Sequence, residues 1–312
     1  MKNKSVIITG GAGFIGSHAV DHFLDKGYEV YVADSFTYAA NKQNLFDAKT
    51  NKRFTLRYFD ICNFNDMSEL CRESNAEWII NFAAETHVDN SIKSTTEFIR
   101  TNILGVLNLL DICRTYKKKL LHISTDEVYG SCLEGFFNEA DTLNPTNPYS
   151  ATKAAAEHFI RAFANTYDVE YLIVRPSNNF GPRQHIEKFI PTILDSIHNN
   201  KQVPIYGDGT NVRDWLYVKD CVKIIEMILL SGLVNETFNI TTNNHFTNKE
   251  LVKKILNELK KDFHSHTTFI KDRLGHDFRY AISNKKLLKY NINVESDFEY
   301  NLKNTIAWYI KQ

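Results

Sequence analysis

The sequence predicts an α/β protein with a doubly wound parallel sheet and a smaller C-terminal α/β lobe. In the first half of the chain, short runs that are apolar on both faces alternate with longer amphipathic runs, which is typical of strands covered by helices on both sides. A glycine-rich loop joins the first strand-like run to the first helix-like run. Near residue 175 the alternation ends, and four prolines follow at positions 176, 182, 191 and 204.

Six strands and four helices are expected before that break. The strands are placed at 5–9, 29–33, 54–59, 78–82, 119–124 and 170–174, and the helices near 14–26, 66–74, 95–116 and 148–166. Further helices are expected near 186–199, 219–231, 247–260 and 297–310. We therefore predict two domains, 1–175 and 176–312, with the chain free to cross back between them. No clean linker separates them, so they should share an interface, and ligands favour such clefts.

The composition argues against several classes of protein. Lys plus Arg equals Asp plus Glu at 37 each, and the pI is about 7.2, so no overall charge attracts nucleic acid or an anionic membrane. No stretch approaches the ~20 apolar residues of a membrane span, and the N-terminal apolar run is too short for a signal peptide. Five scattered cysteines without a CxxC argue against disulfides or a zinc site. We expect a cytoplasmic protein with no metal.

The segment "TGGAGFIGS", residues 9–17, is the glycine-rich loop. It fits G-x-G-x-x-G at Gly11, Gly13 and Gly16, and G-x-x-G-x-x-G at Gly10, Gly13 and Gly16. Glycines allow a tight turn and let backbone N–H groups approach a pyrophosphate at the helix N-terminus, as in Rossmann folds. A plain turn is the alternative. Asp34 ends the second strand, where an acid can bind ribose hydroxyls and repel a 2′-phosphate, so NAD is favoured over NADP.

The segment "NPYSATKAAAEHF", residues 147–159, predicts a helix start with Asn147 as N-cap and Pro148 at the first helical position. Tyr149 and Lys153 are four residues apart and share one face. An ammonium beside a phenol lowers the pKa of the phenol, which makes Tyr149 a candidate base. A surface contact between the two side chains is the alternative interpretation.

The segment "HISTDEVYG", residues 122–130, places two carboxylates, Asp126 and Glu127, at the C-terminal end of a predicted buried strand. Carboxylates are costly to desolvate unless something uses them. We interpret them as an acid–base pair with separated roles, and a solvated acidic turn is the alternative.

With these motifs, the chain resembles the nucleotide-diphosphate-hexose 4,6-dehydratases of the extended short-chain dehydrogenase/reductase family, and among them most closely the dTDP-glucose 4,6-dehydratases. The resemblance runs from about residue 5 to about residue 290. It also rests on "AAETHVDNSI", "NNFGPRQHIEKFIP", "IYGDGTNVRDWLYV" and "DRLGHDFRYAI".

The resemblance implies a redox-neutral reaction on an NDP-glucose, with dTDP-glucose favoured. Tyr149 would take the proton from the sugar 4-OH, positioned by Thr125, while NAD⁺ takes the C4 hydride. Glu127 would remove the C5 proton and a protonated Asp126 would donate to the departing 6-OH. The hydride then returns to C6 and C5 is reprotonated, which leaves a 4-keto-6-deoxy sugar.

The resemblance also implies sets of binding residues. The catalytic set is Thr125, Asp126, Glu127, Tyr149 and Lys153. The cofactor set is Gly10, Gly13, Phe14, Ile15, Gly16, Asp34, Ser35, Phe36, Thr37, Asp60, Ile61, Phe82, Ala83, Ala84, Thr101, Ser124, Tyr149, Lys153 and Asn179. The substrate set is Thr86, His87, Thr125, Asn178, Lys188, Phe189, Pro204, Ile205, Tyr206, Arg213, Asn248, Asp272, Arg273 and His276. For Arg213, which suits a bidentate phosphate contact, a structural salt bridge with Asp214 is the alternative.

The resemblance implies a homodimer paired through the helices near 95–116 and 148–166. The apolar residues beyond one face of those helices are Ile103, Val106, Leu107, Leu109, Leu110, Phe159, Ile160 and Phe163.

Four departures from the family pattern leave the substrate open. The segment between Glu127 and Tyr149 is short, Leu274 replaces a proline, His185-Ile186 replaces an aromatic–proline pair, and Thr86 replaces a serine. UDP-glucose and UDP-GlcNAc thus stay as alternative substrates. A 4-epimerase, an NADPH-dependent reductase and a non-catalytic NAD-sensing protein are rival functions. The epimerase has no use for the acid–base pair, and the reductase would favour a position 34 without an acid. The NAD-sensing protein has no reason to keep the catalytic set together.

Overall fold

The computed structural model describes residues 4–272 and 275–311. The strands of this part are β1 (Ser5–Thr9), β2 (Glu29–Ala33), β3 (Phe54–Arg57), β4 (Trp78–Asn81), β5 (Lys119–Ile123), β6 (Tyr171–Pro176), β7 (Asn178–Phe180), β8 (Val203–Tyr206), β9 (Val212–Tyr217), β10 (Glu236–Ile240), β11 (His245–Thr247) and β12 (Thr267–Ile270). The α-helices are α1 (Phe14–Asp25), α2 (Phe64–Glu73), α3 (Val88–Lys93), α4 (Thr96–Phe98), α5 (Gly105–Tyr116), α6 (Pro148–Tyr167), α7 (Phe189–His198), α8 (Val218–Leu230), α9 (Asn248–Glu258), α10 (Phe263–His266), α11 (Lys285–Lys289) and α12 (Phe298–Ile310).

Seven strands form the main sheet in the order β10-β6-β5-β4-β1-β2-β3, and every neighbouring pair is parallel. The predicted doubly wound parallel sheet is therefore confirmed. The chain moves outward from β1 in one direction through β2 and β3, and in the other through β4, β5 and β6. Because the winding reverses at β1 and β4, a crevice opens at their carboxyl ends, where ligands bind in open sheets of this kind.

The sheet separates two apolar layers, because successive side chains of a strand point to opposite faces. On β1, Val6 and Ile8 pack on one face with residues of α1 and α8, and Ile7 packs on the other face with residues of α2, α5 and α6. Both faces are thus covered by helices. This explains why the strand-like runs read as continuously apolar.

A second lobe carries its own core. Strand β9 pairs antiparallel with β11 and parallel with β7, and β8 pairs in parallel with β12. Helices α7, α9 and α12 cover these strands around buried Phe180, Trp215, Leu251, Ile255 and Phe298. The two lobes meet at the carboxyl edge of the main sheet, where the residues of the candidate site lie.

The structure differs from the predicted elements at β10 and in the helix expected near 95–116. Strand β10 was not expected, yet it pairs with β6 in the main sheet, and α8 packs on α1. The chain therefore crosses back after residue 176, as the domain prediction allowed, and the boundary itself stays a prediction. The single helix expected near 95–116 consists of three consecutive segments: α4, a π-helical segment at Ile99–Leu104, and α5.

In the described part of the chain, no helix has the length and apolar composition that crossing a membrane requires.

Candidate active site

The glycine-rich loop leaves β1 and opens α1 at the crevice. Gly10 has a φ of +70°, and a Cβ on it would lie 2.6 Å from the backbone N of Ala83. A Cβ on Gly16 would collide with the carbonyl oxygen of Gly10. Gly13 precedes the first residue of α1, so the free N–H groups of the helix start face the loop. These close approaches are what a backbone cradle for a pyrophosphate requires.

Asp34, just after β2, is tied to this loop. It is buried, its Oδ2 accepts from the N–H of Ala12 and its Oδ1 from the N–H of Phe36, both at 2.8 Å. Burial raises the pKa of Asp34, and these two backbone donors oppose the rise. A carboxylate has about four lone-pair sites, so sites remain for ribose hydroxyls.

A cavity of about 110 Å³ lies beside Asp34. Its lining includes much of the predicted cofactor set, namely Gly10, Gly13, Asp34, Ser35, Thr37, Asp60, Ile61, Phe82, Ala83, Ala84 and Thr101. Phe36 does not contribute to this lining, because its ring stacks on Tyr58 at a centroid distance of 4.8 Å. The predicted adenosine end is thus brought together, except for Phe36.

A second cavity, of about 250 Å³, adjoins the first and shares Gly10, Gly13, Phe82 and Ala84 with it. Its lining contains all five predicted catalytic residues together with the predicted Phe14, Ile15, Gly16, Thr86, Ser124, Asn178, Asn179 and Lys188. The catalytic motifs, which are separate along the chain, therefore face one space beside the glycine-rich loop.

The end of β5 orients the two carboxylates. Thr125 follows the strand, and its Oγ1 accepts from the N–H of Glu127 at 3.3 Å, which caps a 3₁₀ turn over Asp126–Tyr129. The side chain of Asp126 turns inward and is 3% exposed. Its Oδ2 is buried and has no hydrogen-bond partner among the described residues. A solvated acidic turn is therefore the wrong interpretation for Asp126.

The two carboxylates have different surroundings. Burial, and then the charges of Glu127 and Asp214, hold the pKa of Asp126 well above its usual range, which favours the protonated form of this carboxyl. Glu127 is only half-buried, and its Oε2 lies 3.4 Å from both Asn147 Nδ2 and the Tyr280 hydroxyl. The site thus holds a buried carboxyl group that favours its protonated form beside a carboxyl group that is more accessible.

Helix α6 places Tyr149 and Lys153. It begins at Pro148, and the Asn147 side chain accepts from the N–H of Ser150 at 2.9 Å, so both predictions for the helix start are confirmed. Tyr149 and Lys153 are 7% and 2% exposed, so the alternative of a surface contact is wrong.

The expectation that Lys153 lowers the pKa of Tyr149 is not met. Burial raises the pKa of Tyr149, and the charge of Glu127 adds to the rise. Lys153 Nζ instead donates to the carbonyl oxygen of Ile123 at 2.5 Å and lies 3.3 Å from His122 Nε2. Burial lowers the pKa of Lys153 to about 7, since an ammonium is costly in this apolar setting.

A third cavity, of about 350 Å³, continues toward the second lobe and shares Thr86, Glu127, Asn178 and Lys188 with the second. The predicted substrate residues in its lining are Thr86, His87, Asn178, Lys188, Phe189, Pro204, Tyr206, Arg213, Asn248 and His276.

Three described residues of the predicted substrate set do not line this cavity, namely Thr125, Ile205 and Asp272. Thr125 lines the second cavity instead. The side chain of Ile205 is fully buried in the core of the second lobe. Asp272 lies outside the lining and pairs with His276 Nδ1 at 2.6 Å. Arg273, like Leu274, lies outside the described residues.

Arg213 is buried at the wall of the third cavity. Its guanidinium donates to the carbonyl oxygens of Val212 and Asp277, at 2.8 and 2.9 Å. Asp214 instead accepts from Thr241 and from the N–H of Asn244, so the salt bridge between adjacent residues is not present. Carbonyl oxygens do not neutralise a guanidinium, and its charge remains available to an anion.

Sequence reasoning gave no role to several residues that line the site. Tyr280 is buried, lies 4.2 Å from the Arg213 guanidinium, and donates to Asp277 Oδ2 at 2.9 Å. Glu187 and Trp215 line the third cavity as well. All three residues lie within motifs quoted above, so the motifs could have indicated them. The sequence of a motif does not show which of its side chains face a cavity.

Comparisons with known proteins agree with this geometry. The family model described as GDP-mannose 4,6 dehydratase matches residues 7–295. The chain is 38% identical to the dTDP-glucose 4,6-dehydratase of Neisseria gonorrhoeae, covering 98% of this chain and 96% of the relative.

Two solved structures have the same fold. The dTDP-glucose 4,6-dehydratase DesIV of Streptomyces venezuelae, with NAD and TYD bound, superposes with a TM-score of 0.95 at 36% identity, over 98% of this chain and 97% of that one. A UDP-glucose 4-epimerase of Thermotoga maritima, with UDP-glucose, superposes with a TM-score of 0.91 at 28% identity, over 98% and 99%. On the family match and these identities, the resemblance seen in the motifs is confirmed, and the chain belongs to the GDP-mannose 4,6 dehydratase family.

Proposed function

We propose that this protein is a nucleotide-sugar 4,6-dehydratase that converts dTDP-glucose to its 4-keto-6-deoxy product. One observation carries the proposal: Asp126, which is buried and has a raised pKa, lies beside Glu127 in the same cavity as Tyr149 and Lys153. Elimination of water needs one group that gives a proton and another that takes one. The dehydratase relatives support the same chemistry.

The cofactor in this proposal is NAD. The tight approach at Gly10, the helix start at Gly13 and the buried Asp34 fit a dinucleotide with an unmodified adenosine ribose. The dehydratase structure with NAD bound supports this assignment. NAD, when bound, supplies a hydride acceptor for the sugar C4 and a hydride donor for C6.

Tyr149 takes the proton of the sugar 4-OH in this mechanism. Thr125 lines the same cavity as Tyr149, and its hydroxyl opposes the rise in the pKa of Tyr149. Burial by itself favours the protonated phenol, so the role of base requires a nearby positive charge. Lys153 lies one helical turn further along α6 and, as an ammonium, would supply that charge.

Glu127 and Asp126 carry the elimination. Glu127 takes the C5 proton, and Asp126 gives its proton to the departing 6-OH, which leaves as water. When the hydride reaches C6, Glu127 gives a proton back to C5 and is a carboxylate again. After one turnover, Tyr149 holds the proton of the 4-OH and Asp126 lacks one. The enzyme is reset when a proton has passed between them or through solvent.

The nucleotide diphosphate occupies the third cavity in this proposal. Arg213 and Lys188 provide its cationic groups, and a diphosphate can accept bidentate hydrogen bonds from a guanidinium. The dTDP-glucose relatives favour thymidine as the nucleoside. UDP-glucose and UDP-GlcNAc are the alternatives, because the chain departs from the family pattern at Thr86 and at His185-Ile186.

A 4-epimerase is the less favoured function. An epimerase shares the fold at a TM-score of 0.91, but its reaction has no use for a protonated carboxyl beside the base. The buried Asp126 therefore favours the dehydratase.

Assembly as a homodimer through the α5 and α6 layer is part of the proposal. Of the apolar residues expected there, Val106, Leu109, Leu110 and Ile160 are buried in the core of the chain itself. The exposed apolar residues on this layer are Ile99, Leu104, Phe159 and Tyr167. These four define the surface that a second copy would cover.

The test is to offer dTDP-glucose, UDP-glucose and UDP-GlcNAc to the purified protein without added cofactor. We expect a 4-keto-6-deoxy product from dTDP-glucose, identified by NMR. A product with inverted C4 and an intact 6-OH would assign the protein to the epimerases. Turnover that consumes added NADPH would contradict the redox-neutral mechanism.

A further inference from the structure

A turn in the loop that follows β2 lies where the first two cavities meet. The Ala40 N–H donates to the carbonyl oxygen of Thr37 at 3.0 Å, which places Tyr38 and Ala39 at the tip of this 37–40 turn. Ala39 lines both cavities, as does the glycine-rich loop. A dinucleotide that extends from the first cavity into the second therefore has to pass between the glycine-rich loop and the 37–40 turn.

Both ends of the segment that carries this turn are fixed to the glycine-rich loop. Before the turn, Asp34 accepts from the N–H of Ala12 at 2.8 Å. After the turn, the carbonyl oxygen of Ala12 accepts from the N–H of Asn41 and from the side chain of Asn44, both at 3.0 Å. Asn44 is buried, so this anchor is protected from water. The tip of the turn is thus the part of the segment that needs a further contact to stay closed.

The second lobe supplies that contact. The Tyr38 hydroxyl donates to Glu187 Oε1 at 3.2 Å, and the Tyr38 ring lies edge-on to the His185 imidazole with their centroids 5.6 Å apart. Glu187 and His185 line the second cavity together with Ala39. Burial, and then the charge of Glu187, raise the pKa of Tyr38 to about 12, so the phenol keeps the proton that it donates. The tip of the 37–40 turn is therefore tied to the opposite wall of the second cavity.

The segment that carries Glu187 is itself held against the first lobe. Arg183, four residues before Glu187, pairs with Asp21 of α1 at 2.7 Å. Lys188, the residue after Glu187, donates from Nζ to the carbonyl oxygen of Thr86 at 2.9 Å. Glu187 thus lies between two anchors, and an acceptor that is fixed on both sides can hold the mobile partner of a hydrogen bond.

We propose that Tyr38 is a positioning residue for the cofactor: its hydrogen bond to Glu187 closes the 37–40 turn over the dinucleotide and keeps the reduced cofactor in the site. The need for this closure rests on the proposed function, in which the hydride taken from C4 returns to C6 of the same sugar. NADH that left between these two steps would carry the hydride away, and the sugar would stay oxidised. Cofactor release, by contrast, can be measured without any sugar.

The first measurement is the rate at which the protein releases NADH. The purified chain is loaded with NADH and mixed with a large excess of NAD⁺, and the loss of bound NADH is followed by its fluorescence. Tyr38→Phe removes the hydroxyl and keeps the ring. A hydrogen bond to a charged group is worth about tenfold in an equilibrium, so we expect release from Tyr38→Phe to be about tenfold faster than from wild type. Tyr38→Ala also loses the contact with His185 and should release NADH faster still.

Tyr58→Phe is the matched control. It removes the hydroxyl of another exposed tyrosine at the adenosine end and keeps the ring that stacks on Phe36. We expect its release rate to equal that of wild type. An unchanged rate in Tyr38→Phe, or an equal acceleration in Tyr58→Phe, would overturn the proposal, and so would a wild-type protein that does not bind NADH.

A turnover experiment connects the tie to the reaction. We expect Tyr38→Phe to form NADH from bound NAD⁺ at the wild-type rate in the first turnover, then to lose activity over repeated turnovers, and to regain it when NAD⁺ is added. A variant that keeps its activity without added NAD⁺ while releasing NADH faster would contradict the role in turnover. If the wild-type protein forms no NADH with any nucleotide sugar, the proposed function fails, and the release rates still test the tie between Tyr38 and Glu187.

Discussion

Replacing Glu127 by Gln is the change that separates the two halves of the proposed reaction. Oxidation at C4 needs Tyr149 and the cofactor, whereas elimination needs a base at C5. The amide has nearly the shape of the carboxylate but does not take up the proton. We therefore expect Glu127→Gln to oxidise the sugar and then to stall, with NADH and a 4-keto sugar that still carries its 6-OH.

The structure indicates the size of the effect. The contacts of Glu127 Oε2 to Asn147 and Tyr280 are both 3.4 Å, at the long end for hydrogen bonds, and a Gln side chain of the same length can accept from the same two donors. We therefore expect the variant to fold. A positioned base typically contributes about 10²–10⁴-fold to a proton transfer, or roughly 3–5 kcal/mol of barrier. We expect the elimination step to slow by that factor and C4 oxidation to stay within about tenfold of wild type, or 1.4 kcal/mol.

The assay is a single-turnover absorbance trace for NADH, paired with NMR of the sugar recovered from D₂O. Asp126→Asn is the matched variant, since the same amide replacement one residue earlier removes the acid and spares the base. We expect it to exchange deuterium into C5 through Glu127 and to lose the 6-OH slowly. Normal dehydration by Glu127→Gln, or wild-type product with only hydrogen at C5, would refute the role given to Glu127.

Four further predictions follow from the same site. Tyr149→Phe should lower both oxidation and dehydration by orders of magnitude while NAD stays bound, and a rate within about tenfold of wild type would remove Tyr149 from the mechanism. NAD should co-purify with the protein and appear on denaturation, whereas release of NADP would contradict the role of Asp34. Light scattering at micromolar concentration should give a homodimer, and Leu104→Glu on the exposed α5 layer should give a monomer, so an unchanged mass would place the interface elsewhere. Because the pKa of Asp126 is raised in the folded state, the stability that its protonated form contributes is fully present below the unfolded pKa of about 4 and is lost as the pH rises toward the folded pKa. In thermal unfolding, Asp126→Asn should therefore gain stability over wild type by on the order of 1 kcal/mol per pH unit above about pH 4. A difference that does not change with pH would contradict the burial of Asp126 as an acid.

Much of the fold and the catalytic set is determined by short, contiguous pieces of sequence. Turns, helix caps and strand ends depend on neighbouring residues, so their local geometry can be predicted from short segments. This holds for the glycine-rich loop, the helix start at Pro148 and the Thr125–Glu127 segment. Strand runs that are apolar on both faces identify the parallel sheet. The five predicted catalytic residues meet in one cavity because parallel strands end at the same edge.

The tertiary structure decided what depends on partners far along the chain. Strand β10 joins the main sheet through β6, and a five-residue run carries no local sign of that partner. The raised pKa of Asp126 comes from burial, then from Glu127, and then from Asp214 in the second lobe. Lys153 turns to Ile123 and His122 rather than to Tyr149, because nearby carbonyl and imidazole groups compensate its burial. Sequence spacing determines which side chains share a face, whereas solvation and charge are set by every element packed around them, and only the folded chain brings those elements together.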